Sequence, residues 1–258
     1  MMRCERPPLT RSLIAATLAL QTVGVMAPKT PGATEPVALE LVLAVDCSSS
    51  VSTGEFHLQM EGIAQAFLHP DIVAAIEATA PEGIAVSLLL WSSEANQVQS
   101  VGWTHLTDAA TAAALAEQIR GTPRVVGGGS TAIGAAIMHG LDLIRRNGFS
   151  GERKAIDVSG DGAANQGPEP ERAREVAAAL SVSVNGLAIL NEDPALALYY
   201  EREVIGGPGA FMVTARNYRD FAKAILKKLL LEIGGTPVAQ RRQDERSAPR
   251  LSKVSNTR

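Results

Sequence analysis

Aromatic side chains make up only 4% of this 258-residue chain, so Leu, Ile, Val and Ala must supply most of any core. Cysteine is scarcer still, with Cys4 and Cys47 alone. The four histidines (His57, His69, His105, His139) fall apart from one another in predicted helices and loops, with no His-Glu-x-x-His pair for zinc. Gly-x-Ser-x-Gly, the elbow of a serine nucleophile, does not occur either. Net charge is −3 and no dense basic stripe crosses the body of the chain, which argues against nucleic acid as a partner. Nucleophilic catalysis and zinc chemistry therefore have little to work with, and the expectation is a protein that is not an enzyme.

What is present at the N-terminus reads as an export signal. Arg3, Arg6 and Arg11 precede an apolar run from Leu13 to Ala27, short for a membrane span and closed by the small-residue segment Val25-Met26-Ala27. Ala33 is an alternative cleavage point, and an uncleaved anchor is the competing reading. Residues 1–27 are thus expected to be a signal peptide, 28–38 a linker rich in Pro, Thr and Gly, and 235–258 a polar, disordered tail. Periplasmic or secreted localisation follows, with no stable membrane insertion once the signal is removed. Export would leave Cys47 as the only cysteine, so no internal disulfide is available. Its place beside a strand end favours a small buried side chain over a reactive thiol.

Between residues 39 and 234, short apolar runs alternate with helical patterns. Strands are expected at 41–45, 84–91, 98–103, 154–159, 182–190 and 210–214. Ser52 and Glu55 form a capping-box pattern ahead of Phe56, Met60, Ile63 and Phe67 at helical spacing. Further helices are read around Leu115, over Ile133–Ile144 and Glu169–Leu180, over Pro194–Val204, and over Tyr218–Ile233. This alternation predicts one α/β domain, a mostly parallel sheet with helices on both faces in three layers. Ligands of such sheets sit at the carboxyl ends of the strands.

Three such ends carry oxygen donors. Asp46-Cys47-Ser48-Ser49-Ser50 leaves the first strand, where alternate positions direct Asp46, Ser48 and Ser50 to one side. Gly127-Gly128-Gly129-Ser130-Thr131 brings a hydroxyl just before a helix. Ser159-Gly160-Asp161-Gly162 sets a carboxylate between two glycines. Hydroxyls and carboxylates are hard ligands, suited to Mg²⁺ or Mn²⁺ over Zn²⁺. Helix capping by Asp46 and Ser50, or phosphate binding by the glycine loop, are the plainer readings of each motif alone.

Taken in order, Asp-x-Ser-x-Ser, a glycine-rich loop with Thr, and Asp-Gly after the fourth strand resemble the von Willebrand factor type A domain and its metal-ion-dependent adhesion site. Asp157-Val158-Ser159-Gly160-Asp161-Gly162, Tyr199-Tyr200 and Val204–Phe211 more narrowly resemble a bacterial group of such domains of unknown function. The resemblance implies a Rossmann-like three-layer fold. It implies Ser48, Ser50 and Thr131 as direct metal ligands, with Asp46 and Asp161 acting directly or through water. It also implies a protein partner that completes the coordination with a carboxylate. Asp157 is the alternative to Asp161. A metal-dependent hydrolase, or an assembly subunit whose site is never filled, are the other functions left open. Tyr199-Tyr200 reads as helix packing or as part of a partner surface, and Trp91 and Trp103 as core.

Overall fold

A computed structural model describes residues 34–235. The segment expected to be a signal peptide, residues 1–27, and residues 236–258 of the expected tail lie outside the described residues. Six strands form one sheet in the order β3-β2-β1-β4-β5-β6. They are β1 (Glu35–Asp46), β2 (Ile84–Trp91), β3 (Gln97–Leu106), β4 (Phe149–Gly160), β5 (Ser183–Ile189) and β6 (Met212–Ala215). Only β3 runs antiparallel to its neighbour, the outcome of a short β2–β3 hairpin; all other pairings are parallel.

Period-two alternation in the central strands divides the core. Leu39, Leu41, Leu43 and Val45 of β1, with Ile84, Val86, Leu88 and Leu90 of β2, face α1 (Thr53–Phe67), α2 (Pro70–Glu77), α3 (Ala109–Arg120) and α7 (Phe221–Gly234). Val42 and Ala44 of β1, with Leu89 and Trp91 of β2, face α4 (Ile133–Arg146), α5 (Pro170–Ala179) and α6 (Leu196–Tyr199). Aliphatic residues on both faces of a parallel sheet explain why β1 and β2 are near-continuous apolar runs. Trp91 is fully buried and Trp103 packs partly buried on the same layer, as core.

Several boundaries differ from the sequence reading. β1 begins at Glu35, inside the segment 28–38 expected to be linker, because Pro36–Ser150 and Val37–Gly151 already pair with β4. α2 was not anticipated; it is started by His69, whose ring accepts from Asp71 N, and by Pro70 in its first turn. His105 sits on β3, not in a helix or loop. The helix expected over Pro194–Val204 is a single α-turn, α6, running directly into a π-helical turn at Tyr200–Val204. The capping box at α1 forms as expected, with Ser52 N donating to Glu55 Oε2 at 2.9 Å. Among the described residues, no helix is long and apolar enough to cross a membrane.

Asp157, a carboxylate in the middle of β4, is explained by α7. It is buried, and Lys228 Nζ lies 3.0 Å from its Oδ1. Glu232, one turn further along α7, stands 3.2 Å from the same ammonium and accepts from Asn185 Nδ2 of β5 at 2.7 Å. Lys228 also rests over the Phe211 ring, 4.6 Å from its centroid. Burial pushes the Asp157 carboxyl well above the usual carboxylate range; Lys228 pulls it back down and Glu232 adds to the rise.

Candidate metal centre

In the sheet order, β1 has β2 on one side and β4 on the other, so the chain reverses its direction of growth between β1 and β4. A crevice opens at the carboxyl ends of the strands at such a point. Register places Val45 beside Ser159, which sets the loop after β1 against the loop after β4.

The loop after β1 is tightly held. Asp46 is fully buried, and its Oδ1 accepts from Ser48 N at 2.7 Å. That bond turns the chain so that Ser48 Oγ stands 3.1 Å from Ser50 Oγ. Ser50 Oγ then donates to Asp161 Oδ1 at 2.6 Å, joining the first and third motifs. Cys47 points the other way, into the core, which removes the only soft donor nearby. Burial, and secondarily the charge of Asp46, push its thiol up to about 12.

The glycine loop closes the third side. Gly128 and Gly129 adopt φ of 68° and 93°, a left-handed pair that side chains rarely take. The turn lets Ser49 Oγ accept from Gly129 N at 2.8 Å and donate to Gly129 O at 2.9 Å. Thr131 is buried at 7% exposure, with its N–H donated to Asn165 Oδ1 at 2.8 Å and its carbonyl accepting from Asn165 N at 3.0 Å. Its hydroxyl stands 3.9 Å from where a Cβ at Gly162, the residue after Asp161, would be. All five residues expected at the site are therefore brought to one crevice. Asp157 is not among them, being held by Lys228 within the sheet.

Four neighbours were missed by the sequence reading. Arg124 donates one amino group to the carbonyls of Cys47, Ser48 and Val51, at 3.1, 3.3 and 2.7 Å, fixing the loop after β1 from outside. Gln59 of α1 donates to Asp46 O. Tyr218, from the turn before α7, donates to Asp161 Oδ2 at 2.9 Å, and Asn165 braces Thr131. None lies in a motif; each is placed by the tertiary fold.

Electrostatics follow from burial. The Asp46 carboxyl is pushed up to about 7, chiefly by desolvation, with the Ser48 hydrogen bonds opposing and the Asp161 charge adding. Tyr218 is pushed up by burial and by the charge of its acceptor Asp161. Asp46 Oδ2 is buried without a hydrogen-bond partner. Among the described residues no three His, Cys, Asp or Glu side chains cluster for a metal, so hydroxyls must supply the rest of any ligand set here.

The family described as "Protein of unknown function (DUF1194)" matches residues 36–237. The chain belongs to the DUF1194 family. No curated protein matches it. Among solved structures, this DUF1194 domain is similar to proximal thread matrix protein 1 from the mussel byssus with a zinc-occupied MIDAS motif, at 16% identity and TM-score 0.53, over 77% of this chain and 46% of the other. It is also similar to a von Willebrand factor type A protein from Catenulispora acidiphila, at 14% identity and TM-score 0.56, over 77% and 43%. A third is the vWF domain of the type V pili tip protein Mfa5 from Porphyromonas gingivalis, at 12% identity and TM-score 0.54, over 84% and 98%. The DUF1194 chain thus spans about half the length of the mussel protein and nearly all of the Mfa5 domain. These likenesses establish the von Willebrand factor type A fold.

Proposed function

We propose that this domain is an exported, Mg²⁺- or Mn²⁺-dependent binding module that engages a carboxylate on a protein partner. The observation that carries the reading is the Ser50–Asp161 contact, which unites two distant motifs into one oxygen-lined crevice. Ser48, Ser50 and Thr131 offer hydroxyl oxygens, and Asp46 and Asp161 offer carboxylates directly or through water. The donor set is oxygen only, and the orphaned buried Oδ2 of Asp46 is the kind of atom a cation or its water satisfies. Bound there, a divalent cation would supply an electrophilic open position for an anionic oxygen. Two carboxylates leave such a position attractive to a third, and Ser50 is exposed at the mouth of the crevice.

The matrix and pilus-tip roles in the names of similar proteins support a partner that is a protein. No observation favours a hydrolase: the four histidines lie on α1, at the start of α2, on β3 and on α4, outside the hydrogen-bonded network of the crevice. Capture of partners from cell-envelope extract, with and without chelator, tests the mechanism. Capture lost on chelation and restored by Mg²⁺ is the expected result; capture indifferent to chelator sinks the carboxylate mechanism. Export rests on Arg3–Ala27 and is checked by the N-terminus of the extracellular or periplasmic form, expected near Pro28 or Thr34. A form retaining Met1 would exclude cleavage.

A further inference from the structure

Among the described residues, Tyr200 is the one large polar side chain in the second core layer whose hydroxyl has no hydrogen-bond partner, although the residue is fully buried. A buried hydroxyl left unpaired is costly, so its position calls for an explanation. The hydroxyl does not sit among aliphatic groups. It stands 2.8 Å from the point where a Cβ at Gly160 would be, and Asp46 Oδ2 stands 2.9 Å from that same point. Two orphaned buried oxygens, one a donor and one an acceptor, thus flank a single gap left by glycine. The backbone that delivers the hydroxyl is itself unusual. Tyr200 opens the π-helical turn Tyr200–Val204, a departure from α-geometry often found where a side chain must be aimed. Its neighbour Tyr199 accepts from Ala164 N at 3.1 Å, so the pair meets the loop after β4 from beneath. The Tyr199-Tyr200 pair is therefore not a partner surface at Tyr200. The charge of Asp46, second only to burial, holds the phenol proton on.

We infer that Tyr200 is a positioning residue for the metal centre: its hydroxyl and Asp46 Oδ2 face the same gap at Gly160 without bonding to each other, and with a cation held at the site the hydroxyl would donate to that oxygen and fix the carboxylate. This rests on the metal-dependent reading above and adds to it a specific outer donor supplied by α6 and the π-turn. Gly160, the first of the two glycines flanking Asp161, acquires a purpose, since any side chain there would separate the two oxygens.

Tyr200→Phe removes the hydroxyl and keeps the ring. The test is Mn²⁺ titration of the full chain, reading free Mn²⁺ by electron paramagnetic resonance, with the metal-free Tm measured beside it. Partners of metal ligands typically cost about 10-fold or more in affinity when removed. The expected result is Mn²⁺ binding weakened by about 10-fold, with the metal-free Tm unchanged or raised because an orphan hydroxyl has gone. Affinity within about two-fold of wild type overturns the role of Tyr200 while leaving the metal centre standing. Weaker binding accompanied by a drop of several degrees in the metal-free Tm also overturns it, assigning Tyr200 to packing alone. A wild type that binds no Mn²⁺ removes the metal centre itself, and is recognised separately by the wild-type titration.

Discussion

Lys228→Met is expected to destabilise the domain by about 3–5 kcal/mol near neutral pH, the range for removing one partner of a buried ion pair. The ammonium is fully buried between Asp157 and Glu232, and its loss leaves two carboxylates facing each other in the core. For a domain of this size that corresponds to a fall in Tm of roughly 10 °C. The pH dependence identifies the cause. Burial already raises the Asp157 carboxyl, so the folded state holds a proton that the unfolded state has released in the range above the ordinary carboxylate pKa. A raised carboxyl stabilises the fold at low pH, and that contribution is lost as pH rises. Without Lys228 the rise is larger. The deficit of the variant should then shrink between about pH 8 and about pH 5.5, measured by urea unfolding. A deficit equal at both pH values would mean that lost packing of the lysine stem, not charge, is responsible. Lys228→Met combined with Asp157→Asn and Glu232→Gln should recover much of the loss, since no buried charge remains.

The second large effect concerns Asp46. Wild type at a hundred-fold excess of Mg²⁺ or Mn²⁺ over its dissociation constant should gain about 2.7 kcal/mol of stability. Asp46→Ala should gain almost none. In the metal-free protein Asp46 titrates at about 7, well above its unfolded value, so it is largely protonated at mildly acidic pH. Cation binding requires the carboxylate and so displaces that proton. The sign follows: the metal-free fold loses stability as pH rises through about 7, and metal-induced stabilisation grows over the same interval. Thermal unfolding at about pH 5.5 and about pH 8, with and without Mn²⁺, reads both effects. An increment independent of pH would place the cation away from Asp46.

The sheet was legible to the extent that its strands are buried on both faces. β2 matches its expected span residue for residue, because Ile84–Trp91 is uninterrupted core. The span 41–45 expected for β1 covers only its continuous apolar stretch and leaves out the N-terminal half, Glu35–Glu40. In the fold Glu40 is a fully buried acceptor, taking hydrogen bonds from Gly151 N at 2.6 Å and Asn147 Nδ2 at 2.5 Å, and the strand continues through it. The five candidate site residues come from short motifs legible in the sequence: Asp46, Ser48 and Ser50 leave β1 and Asp161 follows β4, whereas Thr131 stands in the loop between α3 and α4 and not at the strand end expected for it. Arg124, Tyr218 and Asn165 could not be read there, because their roles depend on carbonyls and carboxylates that only the tertiary fold delivers. Asp157 is the same case in reverse: its residue type signals a site, but its partner is a lysine on the last helix.

Cys47 follows Asp46 directly yet packs into the core, away from the proposed metal centre, and that separation bears on where the protein can work. Its sulfur is fully buried and its proton is held until about pH 12. Disulfide exchange needs a thiolate and an open approach, and neither is offered here. Oxidants of the cell exterior should leave the folded domain unmarked, and two copies should not become covalently joined through this residue. The same chain can therefore pass from a reducing compartment to an oxidising one with its loop after β1 chemically unchanged.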